Sequence, residues 1–102
     1  MTDLNDQKYK NLFKAFLSLE DADEVRDFCI DLMTPQEIEA FADRWEVAQK
    51  LNEGDSQRKV SADTNVSIAT VTRVNRFLKN GADGYKAVLS KLQKDNAHHH
   101  SH

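Results

Sequence analysis

The chain has 102 residues, 39% of them hydrophobic and 30% charged, with a formal net charge of −3. That is one domain's worth of sequence, too short for a large core and too apolar for a disordered chain, so stability is expected to depend in part on dimerisation. No apolar run nears the roughly 20 residues that cross a bilayer, and the polar, acidic start from Met1 to Gln7 does not read as a signal peptide.

The first helix is expected over about 6–19, where Tyr9, Leu12, Phe13, Phe16 and Leu17 recur at three and four residues. Val25, Phe28, Cys29 and Leu32 repeat that spacing in a second helix over about 22–33, capped by Asp21. Cys29 is the only cysteine; it cannot pair within the chain, which fits a reducing cytoplasm, and it reads as a small buried hydrophobe. The third helix has the clearest start. Thr34, Pro35 and Glu37 combine an N-cap, a proline at the first helical position and a glutamate that reaches back to the cap. Its long stripe of Ile38, Phe41, Ala42, Trp45, Ala48 and Leu51 reads as core or dimer interface, and Gly54 ends it. Ser56 caps a short helix containing Val60. After a break at 64–67, a fifth helix carries Ile68, Val71, Val74 and Leu78 to a stop at Gly81, with Ile68, Val71 and Leu78 expected to pack inward. The last helix, from about Asp83, buries Tyr85, Val88, Leu89 and Leu92. The expected architecture is all-α, one helical domain over 1–95. The tail over 96–102, which holds all four histidines, reads as a disordered end or tag remnant rather than a metal site.

Charge is unevenly spread. Between Ser56 and Asn80, Arg58, Lys59, Arg73, Arg76 and Lys79 stand against Asp63 alone, a local balance of +4 that leaves −7 on the remainder. An acidic body with one basic segment can grip phosphate locally while repelling non-specific contact.

That segment, SQRKVSADTNVSIATVTRVNRFLK, meets the requirements of a helix-turn-helix over about 56–80. Asn65 suits a left-handed turn position, Val66 can plug the angle between the helices, and Ser67 caps the second helix. The amides freed at that helix start can face an anion such as phosphate. Ser67, Ala69, Thr70 and Arg73 then share one small, polar side. Any helical hairpin needs a turn, but a plain hairpin does not call for five basic residues and a Ser/Ala/Thr face. The competing reading is a helical protein-interaction module that keeps the fold without DNA binding. An enzyme is not expected: no phosphate loop, metal-spaced Cys/His set or nucleophile motif is present.

From about 31 to 92 the chain resembles the Trp repressor superfamily, through MTPQEIEAFADRWEVA and SQRKVSADTNVSIATVTR. With NGADGYKAVL and the N-terminal helices it is most similar to the Trp-repressor-like YerC/YecD family of bacterial proteins. The resemblance implies a six-helix, intertwined homodimer that binds double-stranded DNA to regulate transcription. It brings Gln57, Arg58, Ser67, Ile68, Ala69, Thr70 and Thr72 to the DNA. Arg58 is the candidate to read a guanine edge, with Thr72 and Gln57 holding phosphates and Arg73 a further phosphate contact. Lys59 and Lys79 are weaker candidates. The resemblance also makes Arg44 and Arg73 the two arginines of a co-repressor pocket. There Val74 and Phe77 replace small residues and Asp31 replaces a leucine, so the pocket is expected to be filled and vestigial, with Arg44 ion-paired to Asp31 or Glu46. L-tryptophan is then not the expected effector, and no cofactor is expected.

Overall fold

A computed structural model describes residues 4–100, with side chains through 95. Its described residues form six helices and no strand: α1 Gln7–Leu17, α2 Ala22–Leu32, α3 Pro35–Asn52, α4 Gln57–Thr64, α5 Ile68–Asn80 and α6 Gly84–His100.

The starts of α2, α3, α4 and α5 follow from their caps. Asp21 accepts from the Glu24 amide at 2.9 Å. At Thr34 the reciprocal pair closes, the Glu37 amide donating to Thr34 Oγ1 at 3.1 Å and the Thr34 amide to Glu37 Oε1 at 2.9 Å, which satisfies two orphan donors at once. Ser56 and Ser67 accept from the amides of Lys59 and Thr70, each at 3.2 Å. The chain leaves α3 through Gly54, whose φ of 101° favours a residue without a Cβ.

Contacts gather into two compact units, Met1–Ile38 and Glu39–His102. The first unit holds α1, α2 and the opening turn of α3. Phe16 and Phe28 meet edge to face at 5.2 Å between centroids, yet neither α1 nor α2 contains a buried residue. Cys29 is accordingly only half-buried. The apolar pattern of these helices is present, but a single chain does not cover it.

The second unit has a core of its own. Val47 and Ala48 of α3, Val60 of α4, Val66, and Val71 and Val74 of α5 form one buried cluster, with Trp45, Leu51 and Tyr85 packed against it. Each fully buried valine stabilises this unit by about 1.5–3 kcal/mol. Leu78 and Leu89 are also buried, whereas Val88 and Leu92 are not.

The tail expected over 96–102 is not marked off from the last helix. The α6 backbone continues to His100, since no proline or glycine follows Asn96 to stop it. Positions 101 and 102, and the histidine side chains, lie outside the described residues.

Candidate nucleic-acid interface

The turn between α4 and α5 is set by Asn65, which takes the left-handed conformation at φ 61°, ψ 22°. An asparagine tolerates this because its short polar side chain limits the clash that a larger one would meet. Hydroxyls then staple the corner: Thr64 Oγ1 donates to the Val60 carbonyl at 2.7 Å and accepts from the Val66 amide at 3.2 Å. Ser61 Oγ donates to the Val66 carbonyl at 2.7 Å. Val66 is buried in the angle, as its position implies.

The two helices are also joined side chain to side chain. Thr72 Oγ1 donates to Gln57 Oε1 at 2.9 Å, so the first residue of α4 and the second turn of α5 are fixed as one surface. This bond leaves the Gln57 Nε2 amide and the Thr72 lone pairs as polar groups at the same spot. Ser67 Oγ and Thr70 Oγ1 lie 3.1 Å apart over the start of α5.

Along α5, Val71, Val74 and Leu78 are buried. On the opposite side Ala69, Thr72, Arg73 and Arg76 recur at three and four residues, and all are exposed. No acidic residue occurs in α5. Ile68 is 49% exposed at the helix start, so the expectation that it packs inward fails. It lies about 100° around the helix from Ala69, off the buried side. Arg58 is exposed in the first turn of α4, without an ion pair among the described residues.

Lys59 differs. Its Nζ sits 2.8 Å from Asp63 Oδ2 and 3.5 Å from Asp55 Oδ2. The hydrogen bond it donates to Asp63, then the charge of Asp55, raises its pKa above the usual lysine value. The same bond lowers Asp63 below 3.8. Lys59 is thus neutralised locally, which leaves Arg58, Arg73 and Arg76 as the basic side chains facing solvent near the corner.

Beside this surface Arg44, Trp45, Arg73, Val74, Phe77 and Tyr85 contribute to a concave site of about 570 Å³. The four expected pocket residues therefore line one open concave site. Val74 is 2% exposed and turns into the core, because its place on α5 falls between Val71 and Leu78. Phe77 forms a wall, with the Arg73 guanidinium 5.0 Å from its ring centroid. Trp45 and Tyr85 stack at 6.3 Å and an interplanar angle of 20°. Arg44 lies 5.5 Å from the Phe41 ring, a cation–π contact where an ion pair is expected from sequence.

No group of three or more metal-ligating side chains comes together among the described residues, and none of their helices is long and apolar enough to cross a membrane.

Comparison with known proteins agrees with this geometry. The family described as Trp repressor protein matches residues 7–93. The uncharacterized protein YerC of Bacillus subtilis is 38% identical over 91 residues, covering 89% of this chain and 88% of YerC. A Trp operon repressor homolog of Vibrio cholerae is 42% identical over 62 residues, 60% of each chain. The crystal structure of a TrpR-like protein from Eubacterium eligens superimposes with a TM-score of 0.84 at 42% identity, covering 88% of this chain and 93% of that one.

Proposed function

This chain belongs to the Trp repressor protein family, and on that premise we propose that it is a sequence-specific DNA-binding transcriptional regulator, a repressor that works as a homodimer without L-tryptophan. The observation that carries the reading is the surface made by α4 and α5. An exposed stripe without acids is locked to the start of α4 by the Thr72–Gln57 bond and stands over a completed valine core. A helix presented in this way can enter a major groove with its first turns at the base edges.

Arg58 is assigned to a guanine edge, whose two acceptors match a planar fork. Gln57, Ser67 and Thr72 hold phosphates; Ile68, Ala69 and Thr70 lie against the bases; Arg73 contacts the backbone. Tryptophan independence is supported by the head itself. Its valine core is closed without a ligand. Dimerisation is supported by α1 and α2, which leave Leu12, Phe13, Leu17, Val25, Ile30 and Leu32 exposed in one chain. A patch of this kind calls for a second copy to cover it.

Selection of binding sites from a random duplex library tests the reading. It is expected to enrich a two-fold symmetric site. No enrichment, with the purified protein folded, would favour the protein-interaction module.

A further inference from the structure

The exposed stripe of α5 does not stop at the turns expected to reach bases. Arg76 continues it, one turn beyond Thr72 and Arg73, with Val71, Val74 and Leu78 buried on the other side. Next to both arginines stands Phe77, an aromatic ring left 44% exposed. The Arg73 Cζ lies 5.0 Å and the Arg76 Cζ 5.8 Å from its centroid. Neither guanidinium forms an ion pair among the described residues.

An exposed arginine ordinarily samples many rotamers, and fixing it on a ligand costs that freedom. A ring within about 6 Å narrows the choice by attracting the cation. The guanidinium has five N–H donors, and attraction to a ring still leaves it donors to offer a phosphate oxygen. One aromatic side chain can therefore order two cations without neutralising either. An acid at this position would order them and cancel their charge, as Asp55 and Asp63 do for Lys59.

We propose that Phe77 is a positioning residue that holds Arg73 and Arg76 as a paired clamp on the DNA backbone, extending the interface along α5 past its reading turns. The proposal rests on the DNA-binding reading above. It assigns Arg76 a role as a phosphate contact and gives Phe77 one that its position in the pocket wall does not suggest.

The test is an anisotropy titration of random-sequence duplex, so that no operator is needed, with folding checked by circular dichroism. Phe77→Leu, which keeps an apolar side chain but removes the ring, is expected to weaken binding about fivefold to tenfold, the low end of the ordering cost of two rotamer-rich side chains, because the ring only narrows their rotamers. Phe77→Trp is expected to restore it. Arg73→Ala with Arg76→Ala should lower the slope of log affinity against log salt by about 2, one unit for each lost phosphate contact. In that background Phe77→Leu should change nothing further.

Wild-type affinity in Phe77→Leu, failure of Phe77→Trp to rescue, or an equal loss from Phe77→Leu when both arginines are already alanine would overturn the clamp. Those results would leave DNA binding itself standing. A folded wild-type protein that binds no duplex at all would overturn both.

Discussion

Replacing Asn65 by valine probes the geometry on which the whole head depends. At φ 61° and ψ 22° this residue turns the chain between α4 and α5, and its amide donates to the Ser61 carbonyl at 3.0 Å. For an L-residue the left-handed region costs roughly 1–2 kcal/mol, and a β-branched side chain sits at the upper end. With a urea dependence of about 2 kcal/mol per molar, Asn65→Val should lower the unfolding midpoint by about 0.5–1 M. Asn65→Gly is the control. It removes the Cβ clash but loosens the unfolded chain, and these effects, each below about 1 kcal/mol, nearly cancel. The assay is urea unfolding followed by circular dichroism at one fixed protein concentration, because a dimer's midpoint moves with concentration. A valine variant as stable as the wild type would refute the left-handed turn, and with it the angle at which α5 is presented.

Three further outcomes follow from the same surfaces. Light scattering at micromolar concentration should give twice the chain mass, since the apolar sides of α1 and α2 are uncovered in one copy; a monomer mass would contradict the homodimer. Calorimetry with millimolar L-tryptophan should show no binding and operator affinity should not change, whereas a tenfold tightening, about 1.4 kcal/mol of coupling, would show that the site between Arg44 and Arg73 takes that ligand. The Asp63 carboxyl should titrate below 3.8 by NMR because Lys59 stabilises its charged form. Its folded pKa is depressed, so its contribution to the head is present above the unfolded value and lost as pH falls through the folded one. An unshifted midpoint would mean that the Lys59–Asp63 bond does not persist in solution.

Much of this head could be read from sequence because its devices are local. The Thr34–Glu37 pair, the caps at Ser56 and Ser67 and the left-handed Asn65 each involve residues within three or four positions, and all four form. The features that the sequence does not show depend on distance or on direction. Ile68 fits an apolar repeat on paper but lies about a sixth of a turn outside the buried arc of Val71, Val74 and Leu78, and it is half exposed. The sequence makes Val74 a candidate to fill the site between the arginines, but only the packing against α3 and α4 reveals that it belongs to the buried cluster. The Thr72–Gln57 bond spans 15 residues, and no periodicity announces it. Arg76 enters the sequence argument only as a charge, although its spacing of three from Arg73 and four from Thr72 could have put it on the same stripe. The exposed faces of α1 and α2 could not be told from a core, because the apolar pattern is the same whether the covering surface comes from this chain or another.

The central claim is that α4 and α5 read a DNA sequence, and fluorescence anisotropy on a selected duplex and a scrambled one, with wild type and Arg58→Ala across a salt series, tests it most directly. The account predicts steep salt dependence on both duplexes, tighter binding of the selected one, and a loss of about 1–3 kcal/mol for Arg58→Ala that falls on the selected duplex alone. Equal affinity of the wild type for the two duplexes, or an equal loss on both from Arg58→Ala, would contradict it.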